Sequence, residues 1–189
     1  MGGDTIILIR HAEADYGALG VHEPIFRGAR RDFAPLSEAG IQQARRMAER
    51  LRTTQIRLMV SSPYTRALQT ASILASELPC PMVVDVRLHD WLPVRDAWQP
   101  ISAAVVAEKI DEYELWTRSG KLPQDRSWET AEEMSGRLKS VIADHRLDLP
   151  LAVVTHEAPI QSLIGSVAVR EASIHTVSLS EMFEPDTCQ

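Results

Sequence analysis

The chain has 189 residues, 44% hydrophobic and 24% charged, with a formal net charge of −6; this length and balance fit one globular domain over residues 1–189 with a full core. No apolar run reaches the roughly 18 residues of a membrane span, and Ile6 to Ile9 is too short for the apolar stretch of a signal peptide, so a cytoplasmic protein with no membrane partner is the simplest reading. The acidic balance argues against nucleic acid, whose phosphates favour a basic face, and Cys80 and Cys188 form no metal-type pair.

In chain order, Ile6-Ile7-Leu8-Ile9 reads as a strand buried on both faces. A loop rich in Gly and Arg follows to about Leu36; its basic cluster Arg27, Arg30 and Arg31 reads equally well as solvated surface or as a feature facing an anion. Ser37 can cap a helix whose Ile41, Ala44, Met47, Ala48 and Leu51 share one stripe. Ile56 to Val60 is a second strand. Ser62-Pro63 looks like a helix start, Ser as cap and Pro as first residue, and Ala67, Leu68, Ala71, Leu74, Ala75 and Leu78 line one face of that helix.

Met82 to Val84 is a third strand. Helices are expected near 100–118 and 127–145, the second capped by Ser127. Leu151 to Val154 is a fourth strand with a helix after it near 158–168, His175 to Phe183 reads as a last strand, and the tail beyond is expected to be loose. Strands alternating with helices imply a three-layer α/β fold: a mostly parallel sheet flanked by helices on both faces.

Such sheets bind ligands outside the carboxyl ends of their strands. Arg10-His11 follows the first strand, and Ser61-Ser62-Pro63-Tyr64-Thr65-Arg66 the second. Asp90 comes shortly after the third, and His156 directly after the fourth. Two arginines, two histidines and a carboxylate suit a phosphate. Arginine offers a charged planar fork to phosphate oxygens, and Arg66 in a first helical turn adds the positive end of a helix dipole. An imidazole can attack phosphorus through one ring nitrogen while the other is held. A second imidazole can donate to a phosphoryl oxygen. A carboxylic acid can protonate the leaving oxygen, provided that burial and the phosphate raise its pKa. Taken singly, each residue reads more simply as structural; the joint placement favours chemistry. The remaining histidines, His22, His89, His145 and His175, lack zinc-type spacing, and the four tryptophans read as core or pocket wall.

At these residues the chain resembles the histidine phosphatase superfamily, the phosphoglycerate mutase-like group. The carrying stretches are Leu8-Ile9-Arg10-His11-Ala12-Glu13-Ala14, Pro35-Leu36-Ser37-Glu38-Ala39-Gly40, Ser61 to Ala71, and Val153-Val154-Thr155-His156-Glu157-Ala158. The resemblance implies the same fold and no metal or organic cofactor. It implies His11 as the nucleophile that becomes phosphorylated, with Arg10, Arg66 and His156 completing the phosphate pocket. Asp90, in Leu88-His89-Asp90, lies where many members carry the proton donor; Glu13 and Glu157 remain alternatives for that role. Ala12 and Glu157 replace family glycines, and Glu157 is expected to point away from the anion. Trp128-Glu129-Thr130 only partly matches a family Gly-Glu-Ser.

The expected activity is hydrolysis of a small phosphate monoester through a phosphohistidine, with the oligomeric state open. The alternatives are a phosphohistidine phosphatase acting on proteins and, from another class, a catalytically weak phosphate-binding or scaffold protein.

Overall fold

The computed structural model of the chain describes residues 4–18, 25–27, 29–95, 101–165 and 167–183, with the backbone alone at 25–27, 29 and 30. Expectations for His22, Trp98, Cys188, the tail, and the side chains of Arg27 and Arg30 lie outside the described residues.

The central sheet has five strands. β1 (Thr5–Arg10) lies between β6 (Leu151–Thr155) and β7 (Ile174–Ser178), and β3 (Leu58–Ser61) lies between β6 and β4 (Met82–Val84). The order is β4-β3-β6-β1-β7, parallel except for the antiparallel edge strand β7. Side-chain alternation along the strands divides the core into two layers. Ile7, Ile9, Met59, Ala152 and Val154 face α2 (Glu38–Leu51) and α3 (Thr65–Glu77). Ile6, Leu8, Val60, Leu151 and Val153 face α5 (Ala131–Asp144) and α6 (Glu157–Ile164). Both faces are covered, so the three-layer α/β arrangement expected from the sequence is the one observed, and β1 and β6 can be apolar throughout.

Several boundaries differ from those expected. The stretch read as a loop holds β2 (Ile25–Arg27) and a short α1 (Ala29–Asp32), and β2 pairs with β5 (Ile101–Ser102), which leads into α4 (Ala103–Ser119). That ribbon rests on a contact about 75 residues distant in sequence, which local pattern cannot reveal. Ser62-Pro63 does not cap α3: Tyr64 holds the cap position without a side-chain bond, and the Ser62 hydroxyl is engaged elsewhere. Thr130, not Ser127, caps α5, in a capping box with Glu133. The last strand stops at Ser178, where α7 (Leu179–Phe183) begins. Among the described residues no helix is long and apolar enough to cross a membrane.

Candidate active site

The carboxyl ends of β1, β3 and β6 bring three of the expected side chains together, and the segment after β4 adds Asp90. His11 and His156 are both buried, with ring centroids 5.1 Å apart in an edge-to-face arrangement. Arg66, buried in the first turn of α3, joins them. Its Nε donates to His11 Nε2 at 3.1 Å, and its Nη2 donates to His156 Nδ1 at 3.2 Å and to Asp90 Oδ2 at 3.1 Å.

These contacts orient both rings. A guanidinium only donates, so His11 Nε2 accepts and carries the free lone pair, and the His11 proton lies on Nδ1, bonded to the Ala12 carbonyl at 2.7 Å. By the same logic His156 Nδ1 accepts, and its Nε2 proton faces the Ser62 hydroxyl at 2.8 Å. Burial, reinforced by the Arg66 charge, pushes His11 down to about 3. Burial also holds His156 well below its ordinary value, against the pull of Asp90. Both rings are therefore neutral at neutral pH, and His11 offers an unprotonated nitrogen.

Stability should follow from this. His11 binds a proton below about 6.5 when unfolded but only near 3 when folded. Its contribution is complete above pH 6.5 and is lost as pH falls from 6.5 toward 3, at about 1.4 kcal/mol per pH unit for one proton. His11→Asn keeps an acceptor for Arg66 and removes the titration. In chemical unfolding between pH 7 and 5, this variant should show a shallower loss of stability than the wild type; parallel curves would place a charged His11 in the folded protein.

Asp90 contrasts with the expectation of a raised pKa. Burial works to raise it, but the Arg66 guanidinium and the Trp91 backbone N–H overcome that and hold it well below the usual carboxylate range. About a third of its side-chain surface (35%) remains open. Asp90 is therefore an anion. Its segment is held by residues not singled out in the sequence. Buried Glu129 grips Arg137 through both oxygens at 2.6 and 3.2 Å and accepts from the Leu92 N–H, while Arg137 reaches the carbonyls of Arg87 and Asp90. Thr155 Oγ1 donates to the Leu88 carbonyl at 2.8 Å. The partial Trp128-Glu129-Thr130 match was the available signal for Glu129.

Arg10 approaches from the other side. Its Nη1 donates to the Val169 carbonyl and to Glu157 Oε2, both at 2.6 Å, and its Nε is buried without a hydrogen-bond partner. Glu157 therefore does not point away: it pairs with Arg10. Glu13 does turn away. Its carboxylate accepts from Ser37 Oγ at 2.6 Å at the start of α2, and a Cβ on Gly40 would lie 2.1 Å from the Glu13 carbonyl oxygen. The Pro-Leu-Ser…Gly stretch thus seats α2 against the β1 loop. Arg31, from the basic cluster, stacks over Tyr16 at 3.9 Å and lines the crevice above Arg66 and Asp90. His175 meets Ser173 on β7, away from these groups. Among the described residues no three His, Cys, Asp or Glu side chains are grouped so as to hold a metal.

Each of these arginines is paired with a carboxylate, Arg10 with Glu157 and Arg66 with Asp90. A tetrahedral anion beside His11 Nε2 can take over both guanidinium groups. Arg66→Ala should weaken inhibition by vanadate by about 2–4 kcal/mol, the loss of a charge-assisted donor pair; unchanged inhibition would remove Arg66 from the anion site.

Comparison with known proteins agrees with this geometry. A protein named as probable phosphoglycerate mutase GpmB from Enterobacter sp. (strain 638) is 30% identical over 173 residues, covering 86% of this chain and 74% of that one. A mycobacterial glucosyl-3-phosphoglycerate phosphatase solved with VO3 superposes with a TM-score of 0.66 at 24% identity, over 93% of this chain and 91% of that one. A phosphoserine phosphatase of Entamoeba histolytica, in complex with 3-phosphoglyceric acid, superposes with a TM-score of 0.63 at 20% identity, over 91% and 89%. At these identities the structural likenesses establish the fold. The family model for the histidine phosphatase superfamily (branch 1) matches residues 6–181, nearly the whole described fold and every strand end discussed above, and the chain belongs to that superfamily.

Proposed function

We propose that the protein hydrolyses phosphate monoesters in two steps through a phosphohistidine on His11. The observation that carries this reading is the His11 ring itself: Nδ1 tied to the Ala12 carbonyl, and Nε2 unprotonated and facing the Arg66 guanidinium. In the first step a bond forms between His11 Nε2 and phosphorus while the bond to the alcohol oxygen breaks, and Asp90 gives that oxygen its proton. In the second step water attacks phosphorus, Asp90 takes the proton released, the N–P bond breaks and inorganic phosphate leaves. Arg10 and Arg66 hold the equatorial oxygens. His156 can present a proton to one of them, because the Ser62 hydroxyl both donates and accepts and so tolerates either tautomer of the ring.

Positive charge for the transition state comes from the arginines, so turnover of an alkyl phosphate, followed as phosphate release, should persist in EDTA. Complete loss on chelation, restored by a divalent ion, would overturn the reading. No phosphate release from any ester, with vanadate still bound, would favour a phosphate-binding protein.

The ionised Asp90 of the unliganded site favours one second reading, a phosphohistidine phosphatase acting on proteins, because a phosphorylated imidazole leaves without needing a strong acid. The name of the Enterobacter relative raises phosphoryl transfer to a second hydroxyl instead of water. A mutase must shield its phosphoenzyme, and the short stretch between Asp90 and Thr130, of which α4 is the one helix described, supplies little cover. Phosphate released in proportion to substrate consumed supports hydrolysis over transfer.

A further inference from the structure

Beside the phosphate crevice lies a larger hollow of about 1050 Å³, walled by Trp91, by Ile110 and Tyr113 of α4, by Met134 of α5, and by Ala158 and Glu157 of α6. Trp91 belongs to both spaces, since it also lines the crevice that holds Arg66 and Asp90. Its position is well fixed. The indole N–H donates to the Glu129 carbonyl at 2.8 Å, the Trp91 backbone N–H donates to Asp90 Oδ1 at 2.9 Å, and the ring meets Tyr113 edge to face at 5.9 Å. Asp90 thus stands at the junction, with Arg66 on one side and the aromatic wall on the other. Among the described lining residues Glu157 is the one charged group, and no lysine or arginine faces this space.

We propose that this hollow receives the leaving alcohol, and that the substrates are phosphate monoesters of large, aromatic or otherwise apolar alcohols without an acidic group. The assignment rests on the hydrolase reading. A leaving oxygen protonated by Asp90 departs on the side where Trp91 stands, so the alcohol's carbon skeleton passes over the indole and into the hollow. Its walls reward apolar contact, at about three- to fourfold in affinity for each methylene buried. Glu157 acts as a selector. Its carboxylate is 45% exposed and faces the hollow while also pairing with Arg10. Once a phosphate shares Arg10, the negative charge of Glu157 is less well compensated, and an alcohol bearing a carboxylate meets repulsion that no lysine or arginine among the described lining residues offsets. Phosphorylated hydroxy acids are disfavoured on this ground.

The test uses the full-length protein and a series of esters. From ethyl to butyl, hexyl and 2-phenylethyl phosphate, kcat/KM should climb by about three- to fourfold per methylene until the hollow is filled. In Ile110→Asp, on the exposed side of α4, the climb should flatten while inhibition by vanadate stays the same. The wild type should prefer 2-phenylethyl phosphate to its para-carboxylate by at least about tenfold, a typical cost of a like-charge contact, and Glu157→Gln should narrow that gap. Equal kcat/KM along the series, a preference for the carboxylate, or a gap untouched by Glu157→Gln would overturn the assignment. Binding of 2-phenylethylphosphonate, measured by calorimetry, separates this inference from the reading it rests on. Tighter binding than ethylphosphonate without phosphate release from any ester supports the hollow and overturns the hydrolase; release from every ester at one rate does the reverse.

Discussion

A turnover reaction stopped in alkali should carry its phosphorus on His11, as a linkage stable to base and labile to acid. His11→Ala should lose on the order of 10⁴–10⁶ in kcat, the scale on which removal of a nucleophile acts in a site whose parts function together. The physical basis is the combination of a buried neutral ring and a fixed direction of attack. His11 is deprotonated at working pH because burial and Arg66 disfavour its charged form, and the Ala12 carbonyl keeps the lone pair on Nε2. On the proposed mechanism the same arginine that depresses the pKa also draws the phosphoryl oxygens to within reach of that lone pair. Binding of vanadate should outlast the loss of turnover in His11→Ala, since Arg10 and Arg66 remain. Label mapped to another residue, or activity near wild type in His11→Ala, would end the covalent mechanism at this histidine.

The second large effect concerns Asp90. Paired with Arg66 it is an anion, the wrong protonation state for an acid. A phosphate arriving at His11 reverses both conditions. It competes for the Arg66 guanidinium, which removes the partner that lowers the pKa, and it adds negative charge nearby, which raises it. On the proposed mechanism the substrate thereby raises the pKa of its own acid, which takes a proton from solvent. Asp90→Asn should slow an alkyl phosphate by about 10²–10⁴-fold, because an alkoxide leaves poorly without a proton. It should slow p-nitrophenyl phosphate far less, since that leaving group is stable as an anion. Equal losses on both substrates would make Asp90 a positioning residue for Arg66 and His156. With no loss on either, Glu157 is the next carboxylate to test, ahead of Glu13, whose oxygen is already committed to Ser37.

The cluster of His11, Arg66 and His156 was readable in the sequence because its parts obey a local rule. In a parallel sheet every strand ends on the same edge, so residues placed directly after apolar runs converge whatever the intervening chain does. Arg10, His11, Arg66 and His156 are all of this kind; His11, Arg66 and His156 lie in contact, while the Arg10 guanidinium is on Glu157 and the Val169 carbonyl. The boundaries that shifted, the helix starts expected at Ser62 and Ser127 and the strand end expected at Phe183, were local too, but each was decided by a competing partner: His156 for the Ser62 hydroxyl, Glu133 for the cap at Thr130, and Asp4 for Ser178 and Ser180 at the start of α7.

Carboxylates followed no such rule. Glu13, Asp90 and Glu157 stand within two residues of a site histidine or of a strand-following loop, and the sequence ranked them without separating them. Their directions are set by groups distant along the chain. Gly40 and Ser37 draw the Glu13 segment toward α2, Glu129 and Arg137 clamp the loop that carries Asp90, and Arg10 turns Glu157 inward. The hollow beside Trp91 exists only because α4, α5 and α6 meet there from three separate stretches of chain. By itself the sequence determined the sheet, its two covered faces and the strand-end cluster of His11, Arg66 and His156, since hydrophobic period and strand ends are properties of short segments. Which carboxylate reaches that cluster, what pairs with each arginine and what shape surrounds Trp91 were decided by tertiary packing, because side-chain direction and charge pairing depend on neighbours that no short segment contains.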